Sequence, residues 1–578
     1  MDKLRADVVT SSPQDGQPNA VIESMSVPQS GYLCDRCSRI DFDKAFATVY
    51  RPRPFDGDLV LELGEVDTLN TSCVFCKLIF SLIPMAGANA GAGASNLQLR
   101  SYSPYRNGEF GYHKLILLNT VCLGIPGASS AYIVSQAGPR DIVRQLRCDW
   151  IDYGIILDWL KYCHSHHTED CVVDERKPVK YLRLIHCQTR KIILAGDQPY
   201  VTLSYVWGKA LDNQRHNYTL PDGLPMTIED SIKVAMALGY QYIWIDRYCI
   251  DQSSPTEVRH QVGLMDLIYS NSELTIIAAA GEDPFYGLPG VSNRARATQH
   301  AGQVGSRLLL STMDEPAAAI SNSVWNTRGW TYQEALLARR RLVFTDQQTY
   351  FQCHGMYCIE GLKLPLDGLH DQSRQVFKQI YRSGKGIGIF PQGVGTDKWS
   401  IFDRIAEYTE RTLANDADIL NGFKGVTRVF RSRPMEVETI HGIPFFESPL
   451  MTQDALSLGL TPSHHIDSVV LNHSFATSLL WLTRCPTTRR VEFPSWSWSG
   501  WHGPVFWPNK GLYWSHFGPY AELEIRLRCT GSSKSHDLIS TLEEIILRDL
   551  DVSKSLMIKA PVVAIDSIRK IVFAGATR

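Results

Sequence analysis

Residues 325–344 read WNTRGWTYQEALLARRRLVF, and the fold of the chain turns on how they are read. Arg328, Gly329 and Trp330 make a compact polar-aromatic corner. Thr331 and Glu334 then have the T-x-x-E spacing of a helix capping box, in which a hydroxyl and a carboxylate satisfy backbone donors of the first turn. Ala335, Leu336, Leu337 and Ala338 continue a short apolar helix. Three arginines follow where the negative pole of that helix falls. Leu342, Val343 and Phe344 read as a buried strand. A helix therefore feeds a strand, and one carboxylate is held at a turn beside a tryptophan. Glu334 has two readings: a cap that contributes about 1 kcal/mol to its helix, or a catalytic group.

The chain before this stretch repeats the same alternation. Residues 200–209 (YVTLSYVWGK) are rich in β-branched and aromatic side chains and stop at Gly208, which predicts a strand. Residues 227–239 predict a helix, with Thr227 and Asp230 at capping spacing, Ile228, Ile232, Ala235 and Met236 as its apolar stripe, and Gly239 ending it. The run YIWI at 242–245 is too continuously apolar to be half exposed, and Asp246 follows its carboxyl end. Ser254-Pro255-Thr256-Glu257 combines a capping box with proline at the first helical position. Its helix turns Val258, Val262, Met265 and Tyr269 inward, and LTIIAA at 274–279 is a third buried strand. Strands and helices in alternation predict a parallel sheet covered on both faces. Ligands of such sheets bind beyond the carboxyl ends of the strands. Those ends carry Trp207-Gly208, residues 246–252 (DRYCIDQ) and residues 281–283.

Outside this core, residues 1–30 form a polar tail without the apolar stretch of a secretory signal. Cys34-Asp-Arg-Cys37 and Cys73-Val-Phe-Cys76 can supply the four thiolates of a structural zinc site. Cys73 and Cys76 also sit among Phe75, Leu78, Ile79 and Phe80, where core thiols would be ordinary. Residues 85–96 (MAGANAGAGASN) read as a flexible connection, and 97–135, including 114–121, as short strands. In the helical stretch 141–171, Cys163, His167 and Cys171 fall at i, i+4 and i+8. They make either a second metal site or a helix end with packed cysteines, and no fourth ligand is evident. Residues 282–324 read as an irregular insertion, 399–414 and 416–426 as helices, 494–501 and 523–529 as strands, and 384–388 as a surface loop lacking the phosphate-loop pattern.

Composition narrows the function classes. Of 578 residues 44% are hydrophobic, enough for large cores, and on length alone the chain holds two to four domains. Lys+Arg 58 against Asp+Glu 60 gives a net charge of −2, which argues against nucleic acid and anionic membrane as partners. No run reaches the ~18 apolar residues of a spanning helix. Fourteen cysteines without a secretory signal suit reduced thiols or metal ligands, and the expectation is a soluble cytoplasmic protein. G-x-S-x-G, H-E-x-x-H and the H-x-E…P-C-x-x-C deaminase pattern are all absent.

Four blocks together, at 200–208, 242–252, 265–281 and 328–344, resemble the fungal heterokaryon-incompatibility (HET) domain. The Cys34/Cys37 and Cys73/Cys76 pairs, the Cys163–His167–Cys171 segment, residues 417–425 and residues 494–499 resemble features that recur around it. Arg247-Tyr248 departs from the family, which commonly has a smaller residue before the cysteine. The resemblance implies an α/β chain with a parallel-sheet, flavodoxin/TIR-like core at 196–346. A Cys-rich N-terminal region at 31–195 precedes it and a mixed α+β region at 347–578 follows. It also implies non-self recognition after hyphal fusion, ending in growth arrest or programmed cell death. Some family members instead accompany secondary-metabolite genes.

HET domains are remotely similar to Toll/interleukin-1 receptor (TIR) domains, several of which cleave NAD with one glutamate. By that resemblance Glu334, in W-x-x-x-E, is the catalytic residue. A carboxylate near the ribose can stabilise an oxocarbenium-like state. Tyr205, Trp207 or Trp330 could stack on a ring of NAD, and Asp246 or Asp251 could bind ribose hydroxyls. The competing reading is a non-enzymatic signalling or assembly module whose partners are proteins, either an incompatibility factor or further copies of the chain.

Overall fold

The computed structural model describes residues 31–47, 58–64, 69–83, 97–102, 122–125, 131–136, 142–172, 176–208, 218–378, 387–432, 434–446, 471–472, 474–508, 524–529, 535–537 and 552–559. The expectations for the tail at 1–30, the Gly/Ala connection, the strand at 114–121 and residues 384–386 lie outside these.

The chain is a mixed α/β protein organised on an eight-stranded sheet. Its strands run in the spatial order Tyr357–Ile359, Thr349–Cys353, Arg340–Phe344, Leu274–Ala278, Val201–Ser204, Tyr242–Trp244, Arg183–His186, Ile192–Leu194. The four inner strands are parallel: Arg340–Phe344 pairs with Leu274–Ala278, that strand with Val201–Ser204, and Val201–Ser204 with Tyr242–Trp244. Both edges are antiparallel. Numbered along the chain, the parallel strands lie in the order 2-1-3-4, so the winding reverses between Val201–Ser204 and Leu274–Ala278. Every residue of Val201–Ser204, Leu274–Ala278 and Arg340–Phe344 is buried. Side chains alternate across a strand, so both faces of the sheet are covered, as the unbroken apolar runs require. The main hydrophobic core extends from Tyr132 to Phe390, well beyond the strands that nucleate it.

Residues 282–324 are irregular, as expected, only as far as 300. Ala301–Val304 and Arg307–Ser311 form a hairpin, and Arg307–Ser311 pairs with Ile133–Ser135 to complete a six-stranded antiparallel sheet with the N-terminal strands. A partner more than 170 residues distant leaves no periodic mark on the local sequence. In the C-terminal region, 416–426 holds two 3-10 turns, Asp416–Asp418 and Asn421–Phe423. The helix, Lys424–Arg431, begins where the sequence suggested it would end. Gly425 lies inside that helix because it packs against Asp266 and Gln333, where a Cβ would come within 2.4 Å of the Asp266 side chain. The PSWSWSGW run is likewise not a strand but a 3-10 turn at Trp498–Gly500, fixed by the Ser497 and Ser499 hydroxyls on the His441 carbonyl. Ile387, expected on a surface loop, is buried in the main core.

The helix expected over 227–239 is Met226–Ala237, but neither Thr227 nor Asp230 caps it. The Thr227 hydroxyl accepts from the Gly287 backbone N–H. Asp230, fully buried, accepts from Leu288 N–H and from the Ser292 hydroxyl, so both hold the loop after the third parallel strand. The 254–269 stretch is two helices, Pro255–Val262 and Met265–Asn271, broken at Gly263. Ser254 caps the first as expected. Glu257 does not close the box back onto Ser254; it accepts from Asp251 N–H and pairs with Arg183.

Candidate functional site

The helix Gly329–Leu337 starts two residues before Thr331, with Arg328 at its N-cap and no side-chain cap. The capping box is therefore not formed. The Thr331 hydroxyl instead donates to the carbonyls of Trp325 and Arg328. Glu334, one turn further on, turns away from the helix end to the sheet. Its Oε2 accepts a 2.5 Å hydrogen bond from Ser204 Oγ, and Ser204 Oγ accepts from Trp325 Nε1 at 2.8 Å. Ser204 is the last residue of the first parallel strand, on the side where the winding of the sheet reverses. At the other end of the helix Arg341 satisfies the carbonyls of Ala335 and Leu336, so one arginine of the basic run serves the negative pole, while Arg340 turns to Cys163 and Glu273.

Above Glu334 lies a partly exposed rim. Asp246, at the carboxyl end of Tyr242–Trp244, accepts from Trp207 Nε1 at 2.7 Å and from the Arg247 backbone N–H at 2.7 Å. The Arg247 guanidinium lies 5.4 Å from the centre of the Trp207 ring, and Arg328 donates to the Tyr205 carbonyl at 3.0 Å. Two glycines let the backbone turn at this end of the sheet. Gly208 has φ +71° with Pro284 against it, and Gly281 has φ +76° with the Tyr286 ring where a Cβ would stand.

The electrostatics of this end of the sheet are unusual for carboxylates. Glu334 retains 5% of its surface, and burial, with the negative Asp246 nearby, pushes its pKa up to about 7. The Ser204 hydrogen bond and Arg328 pull the other way but do not prevail. Burial likewise raises Asp246 to about 6, against the pull of the Trp207 and Arg247 hydrogen bonds. Two carboxyl groups that disfavour each other's charge and titrate near neutrality are suited to holding or passing a proton. The Tyr205 hydroxyl is buried near Asp246 and Arg247, without a well-formed hydrogen bond among the described residues, and burial drives its pKa well up.

Of the residues picked from the sequence, Tyr205, Trp207, Asp246 and Glu334 come together at this end of the sheet. Asp251 does not join them: its carboxylate accepts from the backbone and hydroxyl of Ser253 within its own turn. Trp330 is partly buried against the main core, with no hydrogen bond to the Glu334 group. Ser204, Trp325 and Arg328 join the group without a motif that marks them as site residues in the sequence. The signal for Ser204 was a small hydroxyl closing an otherwise apolar buried strand.

Two groups of buried residues could hold a metal ion, each with its ligand atoms within 4.8 Å of one another. The first is Cys34, Cys37, Cys73 and Cys76, the set expected from the paired C-x-x-C motifs. Cys34 and Cys37 Sγ lie 3.7 and 3.5 Å from Cys76 Sγ. The second is Cys163, His167, Cys171 and Cys353. Here the helix Tyr153–His166 ends before Cys171, and the ligand missing from the sequence reading arrives from the strand Thr349–Cys353.

Among the described residues no helix is long and apolar enough to cross a membrane. No curated protein and no solved structure matches the chain. A family model described as heterokaryon incompatibility protein (HET) does match, over residues 200–334, which opens at the first parallel strand and closes on Glu334. Residues 200–334, with three of the four parallel strands and with Ser204, Asp246 and Glu334, thus form a segment that matches the heterokaryon-incompatibility (HET) domain.

Proposed function

We propose that this chain acts in heterokaryon incompatibility as a cytoplasmic protein that recognises non-self and answers with growth arrest or cell death, and that Glu334 hydrolyses NAD at the nicotinamide–ribose bond. The observation that carries the enzymatic part is the release of Glu334 from any capping duty. It is held on Ser204 with a pKa near 7, beside Asp246, at the point where the sheet reverses its winding. The strand order 2-1-3-4 is that of flavodoxin-like sheets, in which ligands bind at this switch point, and it supports a TIR-like core. The C1′–N bond breaks with its electron pair leaving on nicotinamide, water adds at C1′, and the water proton passes to a base. Glu334, half ionised near neutrality, is placed to take that proton or to stabilise positive charge on the ribose. The buried Tyr205 hydroxyl, without a well-formed hydrogen bond among the described residues, offers one to such a ligand.

We propose in addition that Cys34, Cys37, Cys73 and Cys76 hold a structural zinc, with every position filled by thiolate. The partners are proteins, an incompatibility factor or further copies of the chain. The depth of Glu334, 5% exposed, favours a second reading in which the domain signals by assembly and the carboxylate only locks helix to sheet. Incubating the full chain with NAD and measuring nicotinamide release separates the two. Release that Glu334→Gln abolishes while circular dichroism is unchanged supports hydrolysis. No release in any oligomeric state leaves assembly.

A further inference from the structure

We propose that Cys163, His167, Cys171 and Cys353 bind one zinc ion that staples the segments before and after the HET domain to the amino-terminal edge of its sheet. All four residues are buried, the three cysteines completely and His167 to 1% exposure. Zinc–sulfur bonds of about 2.3 Å at tetrahedral angles put ligand atoms roughly 3.5–3.8 Å apart. The observed set, within 4.8 Å with His167 Nδ1 already 3.3 Å from Cys353 Sγ, needs only a small contraction.

The hydrogen bonds select the ligand nitrogen. His370 Nδ1 lies 3.0 Å from the Leu366 carbonyl, which can only accept, so Nδ1 carries the proton. In the neutral ring His370 Nε2 is then an acceptor, and His167 Nε2, 2.8 Å away, must donate to it. That leaves the lone pair of His167 on Nδ1, the atom facing the thiols. A histidine ligand whose other nitrogen is fixed by a neighbour is the usual support of a zinc site, which makes His370 a positioning residue.

Charge gives a second, independent argument. The side chain of Arg340 is 1% exposed, and its Nε lies 3.1 Å from Cys163 Sγ, while its nearest carboxylate oxygen, on Glu273, is 3.5 Å away. A dication with three thiolates carries one negative charge, which the buried guanidinium matches. Neutral thiols would leave Arg340 facing no charge on that side. Arg340 is paired in register with Cys353 at the start of its strand, the opposite end of the sheet from Ser204. With four protein ligands the site is closed, so its role is structural.

Zinc content of the purified full chain, with Cys37→Ser removing the first thiolate set, tests this. Cys37→Ser protein is expected to keep one zinc per chain, and adding Cys353→Ser to lose it. Should Cys353→Ser fold poorly, His370→Ala in the Cys37→Ser background keeps all four ligands. It is expected to bind zinc 10–100-fold more weakly in chelator competition. Cys37→Ser protein without stoichiometric zinc overturns the proposal. So does zinc that neither further substitution affects, or a disulfide among Cys163, Cys171 and Cys353 in the intact mass.

Discussion

Ser204 Oγ donates to Glu334 Oε2 across 2.5 Å, joining the end of the first parallel strand to a helix 130 residues later. The bond ties the fold to the candidate chemistry, because the same carboxylate is held off its own helix terminus and inside the protein.

Glu334 binds its proton more tightly when folded than when unfolded, since its pKa rises from 4.5 to about 7. The stability it contributes is complete below about pH 4.5, falls as pH rises, and is gone above about 7. Glu334→Gln keeps an acceptor for Ser204 and carries no charge. At pH 8 it is expected to be more stable than the natural chain by on the order of 1–3 kcal/mol, with a flatter pH dependence between 4.5 and 7. Urea unfolding across that range checks this, and a variant less stable at pH 8 would refute it.

Asp246 is one cause of the raised Glu334 pKa. Asp246→Asn retains the Trp207 contact through its amide oxygen and removes the charge, so the Glu334 titration should move below about 7. The midpoint is read from the pH dependence of nicotinamide release, or from carboxyl carbon shifts if there is no turnover.

Arg296 and Glu360 form an ion pair at 2.7 Å with side chains 2% and 1% exposed, and Glu360 also accepts from the Thr349 backbone and hydroxyl. Arg296→Ala strands a buried carboxylate and is expected to cost about 3–5 kcal/mol in chemical denaturation. Replacing both by apolar residues of similar volume should cost clearly less.

Gly281 lies three residues beyond the third parallel strand at φ +76°, and a Cβ there would lie 2.2 Å from the Tyr286 ring. Gly281→Ala meets both backbone strain and a clash, so a loss of more than about 1 kcal/mol is expected. The thermal midpoint should fall accordingly. Gly223→Ala, with φ +75° and open space, isolates the backbone part of the effect.

What the sequence determined by itself is what short-range pattern encodes: three buried apolar strands, the helices between them, the Ser254 cap, and the Cys34/Cys37/Cys73/Cys76 set. Hydrophobic period and motif spacing are local quantities, and they survived folding because no distant group competed for those positions. Tertiary structure decided the rest wherever a distant partner outbid a local one. Glu334 has the spacing of a cap with Thr331, yet Ser204, 130 residues earlier, binds it instead. Cys353 completes a ligand set begun at Cys163, and the 301–311 hairpin finds its sheet near Ile133. Contacts of that range are fixed only when the whole core closes, so no window of sequence holds them.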